Sequence, residues 1–140
     1  MSLINILSIF LALFALIIFY FSLRFAKSNQ FYTDTPGLSW LGIFVWGDGL
    51  ILAPFWFVSA VAFNFISPLN ILRHLLIFLV IRSGYEVVYW ITHQVSQKEY
   101  EPPLFRNISW LGADEGAILY QLLNTCWVIL GLVGVLLTLV

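Results

Sequence analysis

Apolar residues fall along the chain in four long blocks, separated by three polar connectors of unequal character. The first block, 3–23, holds no charged residue. A membrane-spanning helix needs about 20 predominantly apolar residues, so this block predicts span one. It has no positive leading segment and no small-residue cleavage site, and its apolar run outlasts that of a signal sequence, which predicts an uncleaved anchor. The second block, 43–66, starts in GIFVWGDGLILAP, where Asp48 stands between two glycines with Pro54 six residues on. The third, 69–93, follows Ser67 and Pro68, residue types suited to an N-cap and a first helical position. Spans two and three then form a tight hairpin. The fourth block, 114–138, opens on Asp114 and Glu115, acids that complement the positive end of a helix dipole. The expected fold is an all-α membrane protein: four transmembrane helices in an antiparallel bundle, one transmembrane domain over 1–140, with both termini on the same, non-cytoplasmic side.

The connectors set that orientation. Arg24, Lys27, Lys98 and Arg106 flank the first and third connectors, against Arg73 alone near the second, and positive residues mark the cytoplasmic ends of spans. Tyr32, Trp40, Trp90, Tyr100 and Trp110 crowd the same two connectors, as an interfacial aromatic belt would. Arg73 lies on the far face of span three and is expected to snorkel outward.

The third block interrupts its own pattern with IRSGYEVVYWITHQ, residues 81–94. Arg82, Glu86, Tyr89 and His93 follow the i, i+4, i+7, i+11 spacing of one helix face. An isolated charge in mid-bilayer costs several kcal/mol, so Arg82 and Glu86, one turn apart, are expected to pair and to face protein, not lipid. Counting 1.5 Å per residue from the cytoplasmic surface puts Glu86 roughly 10 Å deep and Arg82 roughly 16 Å. Asp48 in span two, and Gln121 and Asn124 in span four, fall at roughly similar depths. These seven residues, Asp48, Arg82, Glu86, Tyr89, His93, Gln121 and Asn124, form the expected buried polar cluster and candidate binding site. Span one offers small or polar residues at Asn5, Ser8, Ala12, Ala15 and Ser22, a pattern for close helix packing.

Each feature has a structural and a functional reading. The Arg82–Glu86 pair either fixes helix register or serves binding and proton relay. Asp48 either starts its helix or, with Gly47, Gly49 and Pro54, breaks it to make a cation or substrate site. Gln121 and Asn124 serve as interhelical hydrogen-bond partners or as substrate contacts.

Composition confirms the setting and narrows the chemistry. The chain is 61% hydrophobic and 9% charged, with mean hydropathy +0.97. Soluble domains carry roughly 25% charged residues, and a soluble fold of 140 residues could not cover itself with so few. A net charge of −1 gives no reason to expect nucleic acid. The lone cysteine, Cys126, permits no internal disulfide and reads as a small buried apolar residue. A metal set from Asp48, Glu86, His93 and Glu115 would have a single histidine and no HExxH or paired-histidine spacing, so neither metal nor cofactor is expected. Asn107-Ile108-Ser109 matches a glycosylation sequon that the expected orientation leaves unused. No nucleophile-elbow, P-loop or dinucleotide fingerprint occurs. Span one lacks the glutamate of small multidrug transporters, and one cysteine is too few for a vitamin K epoxide reductase-like protein.

The function expected from these readings is a small multi-pass membrane protein, a non-catalytic subunit or accessory factor of a membrane assembly. Its expected partners are the lipid bilayer and either further copies of itself or a larger complex. The alternative is a proton- or ion-coupled transporter or channel working as an oligomer, with Arg82, Glu86 and His93 lining the path. A third reading is an intramembrane enzyme on a lipid-like substrate, with Asp48, Glu86 and Tyr89 as acid/base groups.

Overall fold

The computed structural model describes residues 3–35, 37–95 and 112–140, excluding the side chains of 93–95 and 113. Lys98, Glu99, Tyr100, Glu101, Pro102, Pro103, Arg106, the sequon at Asn107 and Trp110 lie outside the described residues, as does the His93 side chain. Four helices follow in order: α1 (Leu3–Lys27), α2 (Trp46–Ala62), α3 (Pro68–Val95) and α4 (Ala113–Leu137). Three of them, α1, α3 and α4, are long and apolar enough to cross a membrane. The chain divides into two compact units, Met1–Ser67 and Pro68–Val140.

In the first unit α1 packs on α2. The buried positions of α1 are Ser8, Ala15, Ile18 and Ser22, and those of α2 include Gly49, Ala53, Trp56 and Ala60. Both series advance in steps of three, four or seven, the seam that keeps one face of each helix turned to its neighbour. Small residues dominate it because apolar burial drives nothing between helices in lipid; close backbone approach and dispersion do the work. Gly49 shows how close. A methyl group there would fall on the Ser22 hydroxyl and lie 3.2 Å from Ser22 Cβ. Ser22 is fully buried, and its hydroxyl has no hydrogen-bond partner among the described residues. Gly49→Ala should therefore cost about 1–3 kcal/mol by overpacking. Adding Ser22→Ala should return part of that loss, because it removes the atom struck and a buried hydroxyl that earns no bond. Chemical unfolding in detergent micelles measures both, and strictly additive losses would contradict this packing.

The 17 residues of α2 span about 25 Å at 1.5 Å each, shorter than the block 43–66 that the hydropathy pattern predicts. Hydrogen bonding explains both ends. At the start, Asp48 Oδ2 accepts from the Phe44 and Val45 N–H groups (2.9 and 3.3 Å), so 43–45 serve as the lead-in to the helix. At the end, the Asn64 amide donates to the Ala60 and Val61 carbonyls (3.0 and 3.3 Å), taking acceptors that a continuing helix would have used.

In the second unit α3 packs on α4. Contacts run from Arg73 with Thr138, through Leu76 and Val80 against Gly131, to Trp90 against Tyr120. A methyl group on Gly131 would press on Val80 and lie 3.3 Å from the Leu76 carbonyl, so this glycine sets the helix spacing. Arg73 reaches the C-terminal end of α4. Its Nε donates to Thr138 Oγ1 (3.4 Å), one Nη donates to the Thr138 carbonyl and the other to Asn70 Oδ1 (3.2 Å). The last carbonyls of α4 are orphan acceptors carrying the negative end of the helix dipole, and a guanidinium is a fitting partner. Asp114 and Glu115 occupy the first turn of α4. Cys126 is exposed, not buried, on a helix whose packed face runs through Ala117, Tyr120, Asn124 and Gly131.

Candidate functional site

Arg82 sits near the midpoint of α3, fourteen residues after its first residue and thirteen before its last. An uncompensated charge at that depth would be costly. The cost is met one turn on, where an Arg82 Nη donates to Glu86 Oε1; the two side chains are 12% and 10% exposed. The second carboxylate oxygen is also occupied, since Trp90 Nε1 donates to Glu86 Oε2 (3.2 Å). The guanidinium carbon lies 5.5 Å from the centre of the Tyr85 ring, a cation–π arrangement. Two helical steps of four residues (82, 86, 90) thus place a cation, an anion and a neutral donor in one chain of contacts, because i and i+4 side chains are stacked neighbours on a helix.

α4 closes this cluster. The Trp90 and Tyr120 rings meet edge to face, with centroids 5.9 Å apart. Tyr120 is 1% exposed, and its hydroxyl has Glu86, Arg82 and Asn124 as charged and polar neighbours. The buried Asn124 amide donates to the Tyr120 carbonyl (2.9 Å) within its own helix. The result is a small polar core shared by two helices, with net charge near zero and the phenol as the proton-bearing group beside the carboxylate. In a low-dielectric surrounding such contacts are strong, and an unpaired member is correspondingly costly.

Of the residues expected to converge, the second unit brings together Arg82, Glu86 and Asn124. Gln121 is half-buried at the edge of that face, and its carbonyl accepts the Thr125 hydroxyl (2.8 Å). Tyr89 turns outward at 36% exposure and stacks on Tyr85, centroids 6.2 Å apart. At 100° per residue, the buried positions Ser83, Glu86 and Trp90 centre roughly 60° away from the Arg82–Glu86–Tyr89–His93 stripe. Asp48 belongs to the first unit, where its carboxylate serves the first turn of α2. Among the described residues no group of three His, Cys, Asp or Glu side chains is placed to hold a metal ion.

Trp90 and Tyr120 are the members that polar spacing alone overlooks, since both count as aromatic and apolar. Their signal is the heptad step: Ser83 to Trp90 in α3 and Ala117 to Asn124 to Gly131 in α4, with Tyr120 between the last series' first two members. No family model, no curated protein and no solved structure matches the chain.

Proposed function

We propose that the chain is a multi-pass integral membrane protein that acts as a non-catalytic subunit or accessory factor of a membrane assembly. The observation that carries this reading is the closure of the polar cluster. Glu86 has one oxygen on Arg82 and the other on Trp90, and both charged side chains are nearly covered within a single helix pair. A carboxylate so engaged, with the Tyr120 hydroxyl of α4 beside it, serves to hold α3 and α4 in register and leaves little of itself for a passing substrate. The outward faces support the second half of the proposal. Phe10, Leu13, Ile17, Ile51, Val58 and Leu122, all outward, offer apolar surface that suits lipid or partner helices and carries no chemistry. Blue-native electrophoresis after mild solubilisation tests the reading. Migration as a species that contains other polypeptides is expected, and a homogeneous species made of this chain alone would refute it.

A further inference from the structure

The connector between α1 and α2 does not stand off the helices as an ordinary loop. It folds back along them. Its two limbs meet where Asp34 and Val45 form an isolated bridge, with Trp46 N–H donating to the Thr33 carbonyl (3.2 Å) and Gly47 N–H to the Phe31 carbonyl (2.9 Å). This closure is level with the charged end of α1, because Trp46 stacks on Phe25 (centroids 4.6 Å apart), between Arg24 and Lys27. Beyond the closure the chain turns through Ser39–Leu41, and its tip touches both helices far from their ends. Trp40 stacks on Phe14 (6.1 Å, planes 10° apart), and the Leu41 carbonyl accepts Trp56 Nε1 (2.9 Å).

Each contact is a ruler. Phe14 lies eleven residues before Phe25, about 16 Å along α1 at 1.5 Å per residue. Trp56 lies ten residues after Trp46, about 15 Å along α2, less the few ångströms by which a helical side chain leans toward the N-terminus. Half of a bilayer's hydrocarbon core is about 15 Å. Were Phe14 at the water surface, only residues 3–14 of α1 would remain in the membrane, too few to cross it.

From these two rulers we infer that Gly37–Phe44 is a re-entrant segment: it enters the acyl-chain region from the Arg24–Lys27 side, turns beside the middle of α1 and returns to the same side, with lipid chains as the partner of its outer face. This rests on α1 spanning the bilayer, as the proposed function holds. The segment is built for that setting. Residues 37–46, GLSWLGIFVW, carry no charge, and the acid nearest to them on the N-terminal side, Asp34, is at the closure. Irregular backbone survives at membrane depth only where its polar groups are satisfied or covered by protein. Here Leu41, Gly42 and Ile43 N–H groups donate to Leu38, Ser39 and Leu38 carbonyls (3.0, 2.9 and 3.3 Å). The Ile43 and Phe44 carbonyls accept Thr35 Oγ1 and Thr35 N–H (2.7 and 2.9 Å). Leu41, Gly42 and Ile43 are buried against the helices, while Ser39 and Trp40 face outward, Trp40 at 65% exposure.

Spin labels on single cysteines test this, in the full chain carrying Cys126→Ala and reconstituted in liposomes open to reagent on both faces. The labels go at Ser28→Cys, Ser39→Cys and Leu13→Cys, three outward positions. Collisions with oxygen report lipid, and collisions with a water-soluble nickel chelate report water. The label at 39 should match that at 13, with oxygen collisions high and nickel collisions lost, while the label at 28 keeps its nickel collisions. Nickel collisions at 39 equal to those at 28 would place the tip in water and overturn the inference. Loss of both collisions at 39 would put protein, not lipid, on the outer face and overturn it equally. Nickel collisions at 13 would show instead that α1 does not span, a failure of the underlying reading.

Discussion

Glu86→Ala is expected to destabilise the α3–α4 unit by about 3–5 kcal/mol, the usual cost of stripping one partner from a buried ion pair. The substitution leaves the Arg82 guanidinium in mid-helix, 12% exposed, without its anion, and also strands the Trp90 indole N–H. Arg82→Met should cost a similar amount, because the carboxylate then keeps neutral neighbours, the Trp90 N–H and the Tyr120 hydroxyl, and no cation. The value should fall toward the lower end of the range, since a chain unfolded within a bilayer or micelle can also find polar partners. Glu86→Gln should be milder than Glu86→Ala, as its one amide oxygen still accepts from either Arg82 or Trp90, although the amide nitrogen then faces the other donor. The decisive variant carries Arg82→Met and Glu86→Leu together. Charge is removed from both sides, and replacing a buried pair by apolar side chains of similar volume is often neutral or stabilising. Titration with a denaturing detergent, read by far-UV circular dichroism, should show the double variant near wild type. A double variant as unstable as either single one would sink the view that the pair is a register device. If it is stable yet no longer migrates with other polypeptides, the pair serves the partner rather than the fold. If reconstituted liposomes carry a proton or ion flux that Glu86→Gln abolishes, the carrier reading replaces the accessory one.

The helices and part of their packing were legible in the residues because both depend on local pattern. Span one offers Asn5, Ser8, Ala12, Ala15 and Ser22 as its inner face; Ser8, Ala15 and Ser22 are found buried, Asn5 and Ala12 only half-buried, and the apolar Ile18 joins the seam. Pro68 begins α3, and Asp114 and Glu115 fill the first turn of α4, for reasons of backbone geometry and dipole that act within a few residues. The pairing of Arg82 with Glu86 was legible for the same reason: at i and i+4 on a mid-bilayer helix the two have nowhere better to go. What spacing could not give was the rotation of α3. Polarity suggested that the stripe through Tyr89 and His93 faces inward, yet the large Trp90 side chain with its single polar atom sets the packed face, and Tyr89 is carried outward. Asp48 was ambiguous because a first-turn acid and a site acid look alike; the choice lies in the Phe44 and Val45 N–H groups, whose orientation depends on the connector's path. That path was illegible altogether. Tyr32 and Trp40 read as part of a belt at the interface, whereas a contact between residues 40 and 14 or 41 and 56 is a tertiary fact with no periodic signature.

Trp56 provides the second large expected effect, because it joins that connector to the helix pair. Its indole fills the α1–α2 unit at 4% exposure, and its N–H satisfies the Leu41 carbonyl. Two substitutions separate these roles. Trp56→Phe keeps most of the ring volume and removes the donor, so the buried Leu41 carbonyl loses this bond; the expected loss is about 1–3 kcal/mol. Trp56→Ala removes the ring as well and should cost about 3–5 kcal/mol, since the space left between packed helices closes only in part. The consequence for the connector should differ in kind. With phenylalanine, Trp40 still lies on Phe14 and the backbone bonds of Leu41, Gly42 and Ile43 remain, so the segment keeps its place. With alanine, the Leu41 carbonyl loses its donor and the bulk of the ring that carried it, and the uncharged segment, left with the Trp40–Phe14 stack and its own hydrogen bonds, should slide toward the interface. A spin label at Ser39 should then regain nickel collisions in the Trp56→Ala protein alone. Val58→Ala provides the control, because Val58 is 65% exposed on the same helix and should change neither stability nor label by much. If Trp56→Ala proved no more costly than Val58→Ala, the connector would be held by its own hydrogen bonds, and its depth would be a property of residues 35–45 rather than of the helices they lie on.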